Sequence, residues 1–131
     1  MTEPPLRRPR FTLHSRIRSF AFAFSGMGYI FASEHNMWLH ALAAVLAVVF
    51  GAGLGLSIDE WRWIVLAIGW VWMAEAFNTA IERLADAVTL ERDPRIGLVK
   101  DLAAAGVLLS AIGAAVIGLL VFVPHLIRYL W

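Results

Sequence analysis

Three apolar stretches, each close to the length of a bilayer crossing, govern what this 131-residue chain can become. They run over about residues 38–56, 61–83 and 99–123 and consist mainly of Ala, Val, Leu, Ile, Gly and Trp. Hydrocarbon offers no partner to a backbone N–H or C=O, so an apolar run of roughly 20 residues is stable there only as a helix. Hydrophobic residues make up 60% of the chain and charged ones 16%, well below the roughly 25% charged residues of a soluble domain. The sequence therefore predicts an all-α membrane protein with three transmembrane helices. No cysteine is present, which removes disulfide frameworks and thiolate metal sites from consideration.

Residues 1–10 are rich in Pro and Arg without apolar periodicity and read as a disordered basic arm, leaving 11–131 as a single domain. Within 11–33, Leu13, Ile17, Phe20, Phe24, Met27 and Phe31 recur every three or four residues, with His14, Ser15, Arg18 and Ser25 between them. That pattern predicts an amphipathic helix lying in the membrane surface. A secretory signal is the competing reading, and the prompt arrival of Glu34 and a second apolar segment argues against it. Farther along, Gly51, Gly53 and Gly55 are expected to loosen the end of the first span, and Ser57 to Glu60 reads as a turn that caps the second. Residues 86–98, with Asp93-Pro94 and Gly97, are expected to form a loop, and Pro124 to end the third span.

The second span ends in Glu75-Ala-Phe-Asn78-Thr-Ala-Ile-Glu82-Arg-Leu-Ala-Asp86. At about 100° per residue, Glu75, Asn78, Glu82 and Asp86 fall on one face of a helix. Ionisable groups at membrane depth are costly and normally face a bundle interior or a watery site, so the stripe marks a functional site. Clustered carboxylates suggest a divalent metal and a phosphorylated ligand. One chain's three spans offer little surface to shield the stripe, so further copies of the chain are expected to cover it. Arg7, Arg8, Arg10, Arg16 and Arg18 precede the first span, and Arg83, Arg92, Arg95 and Lys100 surround the connection between the second and third; Arg62 and Arg128 lie at the other end. The positive-inside rule then places the amino terminus and the stripe on the cytoplasmic side, in reach of nucleotide.

The signature Glu-x-x-Asn-(Ser/Thr)-Ala-Ile-Glu-x-x-x-Asp, filled by Glu75, Asn78, Thr79, Ala80, Ile81, Glu82 and Asp86 and followed by Lys100-Asp101, resembles the prokaryotic diacylglycerol kinase and undecaprenol kinase family. Glu34 and the Phe20, Ala23 and Gly26 pattern ahead of it extend the resemblance over nearly everything after the basic arm. It implies a small homotrimeric lipid kinase of the bacterial plasma membrane that uses ATP and Mg²⁺ to phosphorylate a membrane lipid alcohol. Its partners would be ATP, the lipid and its own copies, with no nucleic acid among them. By resemblance Glu75 is the general base, Asn78 positions the reacting groups, Glu34 and Glu82 hold Mg²⁺, and Lys100 contacts ATP phosphates. Asp101 would orient Lys100 or meet the nucleotide, Asp86 would support the cytoplasmic end, and Arg92 and Asp93 would roof the nucleotide. The family often carries a nucleotide-contacting Arg where Ser15 stands here, which makes the adjacent Arg16 the candidate cation. The resemblance also sets Glu34 and the surface helix against a neighbour's site. His40 and Asn78-Thr79 lean toward the undecaprenol type over the diacylglycerol type.

Plainer readings compete with these assignments. Glu75 and Glu82 could be buried acids paired with Arg83 and Lys100, Glu34 a solvated helix cap, and Asp86 and Asp101 ordinary surface charges. The four histidines are scattered and read as packing or interfacial residues. From another class, a small ion or proton channel or a transporter subunit could use Glu75 and Glu82 as a relay.

Overall fold

The computed structural model describes residues 12–130 and contains four helices: α1 (Leu13–Ser33), α2 (His35–Leu54), α3 (Ile58–Val88) and α4 (Pro94–Leu130). The basic arm at 1–10 lies outside the described residues. Three of the helices, α2, α3 and α4, are long and apolar enough to cross a membrane. They run up, down and up, with α3 and α4 packed along each other, α2 on α3, and α1 touching only α2 and α3. Large apolar side chains such as Phe20, Leu42, Trp70, Leu109 and Leu120 are exposed around the bundle, the pattern expected where the solvent is lipid or another copy of the chain.

Each helix end follows from local chemistry. Thr12 Oγ1 accepts from Ser15 N–H at 3.2 Å and opens α1. The single extended residue Glu34 breaks α1 from α2, and α2 stops at Gly55, whose φ of 69° only glycine adopts freely. Ser57 and Glu60 form the capping box that starts α3, as expected. The neighbouring Gly51 does not loosen α2. It lies buried against Trp61, where an added Cβ would come within 2.9 Å of the indole, so this glycine allows α2 and α3 to approach.

Two breakers act differently from expectation. The loop between α3 and α4 is confined to residues 89–93, because α3 continues to Val88 and Asp93-Pro94 starts a helix. Proline costs nothing in the first turn, where its missing N–H has no intrahelical partner, and Asp93 Oδ1 caps that turn by accepting from Arg95 N–H at 2.8 Å. The Arg95 side chain also holds this carboxylate, and these bonds keep Asp93 below the usual carboxylate range. Pro124 does not end α4, which runs on to Leu130. Only one backbone donor is lost there, and the following turn is tied to the start of α3 by His125 Nε2, 2.8 Å from Glu60 Oε1. A core of Leu56, Ile64 and Val121, flanked by Trp61, Ile117 and Phe122, closes the same end of the bundle.

With 31 residues, α3 is about 46 Å long at 1.5 Å per residue, more than the roughly 30 Å of bilayer hydrocarbon. The helix therefore projects beyond the hydrocarbon, and the stripe from Glu75 to Asp86 lies toward its far end.

Candidate functional site

Glu75 is the most buried large side chain described, 1% exposed, and its Oε2 has no hydrogen-bond partner. One turn on, Asn78 is also buried; its Nδ2 donates to Glu82 Oε1 at 3.1 Å while its Oδ1 is unpartnered. Thr79 Oγ1 donates to the Glu75 carbonyl at 3.0 Å and settles its own polar group within the helix. The ionisable side chains close enough to act on Glu75 are His40, Glu34 and Glu82. Three carboxylates thus meet at the junction of α1, α2 and α3, within a single chain. A buried carboxylate oxygen and amide oxygen without partners are unusual, because each forgoes a hydrogen bond that water would supply. Functional centres are where such costs are kept.

The junction is held by contacts on either side of it. Ser33 Oγ and Arg83 Nη2 both donate to Glu34 Oε1, at 2.9 and 3.1 Å, and Arg83 lies over the Tyr29 ring at 5.3 Å. Phe31 meets Trp38 and Trp72 edge to face, which covers the apolar side of the junction. Toward the bundle interior, His40 and Trp72 head an alanine-lined cavity of about 240 Å³ between α2, α3 and α4, with Ala44, Ala67 and Ala111 in its wall. Near the end of α3, Lys100 Nζ donates to Asp86 Oδ1 at 2.5 Å. That pair shares a cavity of about 420 Å³ with Arg92 and Asp93, below the carboxylate cluster.

These contacts decide several expectations. The paired-acid reading of Glu75 and Glu82 does not hold, because Arg83 pairs with Glu34 and Lys100 with Asp86; among the described residues no cation pairs with Glu75 or Glu82. Asp86 forms an ion pair between α3 and α4 that is partly open to solvent. Shielding by other copies is unnecessary for Glu75 and Asn78, which the chain's own helices bury. Glu34 pairs with Arg83 of its own chain. Asp93 caps α4 and lines the lower cavity together with Arg92. Arg92 and Asp101 are exposed. Arg16 stands 18 residues before Glu34, about 27 Å along α1, and is not part of this cluster.

Among the described residues no group of three His, Asp or Glu side chains forms a metal site. Glu34 and Glu82 nevertheless suit Mg²⁺, which takes one or two carboxylates and completes its shell with water and substrate phosphate. His40, Trp72 and Arg83 were not marked as site residues by the sequence. Trp72 precedes Glu75 by three positions and so shares its face, which was the available signal.

The sequence model described as "Prokaryotic diacylglycerol kinase" matches residues 21–122. The undecaprenol kinase of Bacillus subtilis is 38% identical over 114 residues, covering 87% of this chain and 93% of that protein. The diacylglycerol kinase of Synechocystis sp. is 30% identical over 110 residues, covering 83% of this chain and 63% of that longer protein.

Proposed function

The chain belongs to the prokaryotic diacylglycerol kinase family and is a membrane lipid kinase, and we propose that it transfers the γ-phosphoryl group of ATP to a polyprenyl alcohol of the undecaprenol type. The observation that carries the reading is the buried, unpartnered Glu75 carboxylate near the end of a membrane-spanning helix, one turn from Asn78 and two from Glu82. A lipid hydroxyl lies at that depth, and ATP reaches the site only from water. The undecaprenol type is preferred because the 38% identical relative bears that name, and His40 agrees with it. The 30% identical relative makes diacylglycerol the alternative substrate.

In the proposed reaction Glu75 accepts the proton of the lipid hydroxyl as its oxygen attacks the γ-phosphorus. The bond from that phosphorus to the β,γ-bridging oxygen breaks, giving the lipid phosphate and ADP. Asn78 holds Glu82 in place by its 3.1 Å hydrogen bond, and Lys100 leaves Asp86 to meet the phosphates. Glu34 and Glu82 would hold Mg²⁺, which when bound would offset the charge of the phosphates. The charge asymmetry supports a site on the cytoplasmic face of a bacterial plasma membrane, and the family resemblance supports a homotrimer.

Purified protein with radiolabelled ATP is expected to phosphorylate undecaprenol in preference to diacylglycerol and ceramide, and only with Mg²⁺ present. Preferential labelling of diacylglycerol would move the substrate to the alternative. Liposome ion flux without ATP turnover would replace the kinase reading altogether.

A second test concerns where one catalytic centre is built. Co-expressed Glu34→Ala and Glu75→Gln chains are expected to recover activity in mixed oligomers where one centre draws its carboxylates from two subunits, the arrangement the family resemblance implies. Mixed oligomers no more active than either variant alone would place Glu34 and Glu75 of one centre in one chain.

A further inference from the structure

We infer that Arg83 is a positioning residue that sets the Glu34 carboxylate for metal, a role that rests on the reading of Glu34 as a Mg²⁺ ligand. Glu34 is the one extended residue between two helices, so neither helix fixes its side chain. What fixes it is a pair of donors, Ser33 Oγ at 2.9 Å and Arg83 Nη2 at 3.1 Å, both ending on Oε1. The structure gives Oε2 no hydrogen-bond partner among the described residues, which leaves that oxygen for another ligand. Arg83 follows Glu82 directly in α3 and rests on Tyr29 of α1 at 5.3 Å, so one guanidinium joins the α1–α2 junction to the helix that carries the rest of the cluster.

An ordinary surface ion pair has two mobile, solvated ends and contributes little. Here the carboxylate end is mostly covered, 20% exposed, and the cation is braced on a ring. A positive charge beside a metal ligand has two opposing effects. It repels the ion, and it holds the ligand in the geometry the ion needs. The division of labour between the oxygens points to the second effect, because the guanidinium engages only one of them. Partners of this kind behind a metal ligand typically change affinity by roughly 10- to 100-fold when removed.

The experiment uses full-length protein in lipid–detergent micelles and compares wild type, Arg83→Gln, Arg83→Lys and Glu34→Gln. Two readouts are taken: the Mg²⁺ dependence of turnover, and Mn²⁺ binding by paramagnetic resonance with a non-hydrolysable ATP analogue and no turnover. Arg83→Gln is expected to weaken Mn²⁺ binding about 10-fold and to shift the Mg²⁺ curve upward by the same factor, with kcat at saturating Mg²⁺ little changed. Arg83→Lys should recover part of the shift, since it keeps the charge without the planar fork. A lower melting temperature with unmoved metal curves would make Arg83 merely structural, and tighter Mn²⁺ binding would make it a competitor of the metal; either overturns the inference. If Glu34→Gln itself leaves Mn²⁺ binding unchanged, the metal-ligand reading falls and this inference with it. A shift in Glu34→Gln alone removes only the role of Arg83.

Discussion

Glu75→Gln is expected to lower kcat by roughly 10²- to 10⁴-fold while leaving assembly and nucleotide binding intact, the range that a positioned general base contributes. The amide keeps the volume and planarity of the carboxylate but cannot accept the proton of the lipid hydroxyl. Since Glu75 is 1% exposed with an unpartnered Oε2, the substitution replaces a buried carboxyl group by a group of the same shape and breaks no ion pair. Loss of fold is therefore not expected to mimic loss of chemistry, and the melting temperature should be unchanged or higher. Initial rates over a grid of lipid and ATP concentrations, together with equilibrium binding of an ATP analogue, separate the two. A defect confined to KM, with kcat preserved, would remove the base assignment and leave Glu75 a binding residue.

The elements that the sequence disclosed early are those whose signal is local. Three apolar runs, the Ser57–Glu60 cap and the spacing of Glu75, Asn78 and Glu82 each depend on residues within a turn or two of one another, so periodicity suffices to read them. The misread positions involve a second helix or the direction of the chain. Asp93-Pro94 breaks a helix when read from its amino-terminal side and starts one when read from the other, and only the capping bond to Arg95 distinguishes them. Gly51 looks like looseness until Trp61 of the next helix is found against it. The pairing of charges was least legible. Arg83 and Lys100 each had several carboxylates within plausible reach, and the rotation of α3 against α2 and α4 decides that Glu34 and Asp86 receive them. That same rotation leaves Glu75 and Glu82 without a paired cation among the described residues.

Lys100→Met is expected to reduce kcat/KM for ATP on the order of 10²- to 10³-fold, the cost of deleting one group that stabilises developing charge. The ammonium donates to Asp86 at 2.5 Å on the wall of a cavity of about 420 Å³, where nucleotide phosphates can replace the carboxylate as its partner. Both side chains are more than one-third exposed, so losing the pair alone carries little stability cost. The measurement must still separate two explanations, because a Lys100 that merely neutralises Asp86 would also be missed when it is deleted. The double variant Lys100→Met/Asp86→Asn decides between them. If Lys100 serves the phosphates, removing the Asp86 charge leaves activity as low as in the single variant, and the deficit appears in ATP affinity and kcat together. If Lys100 only silences Asp86, the double variant recovers wild-type kinetics, and the nucleotide role of Lys100 is withdrawn.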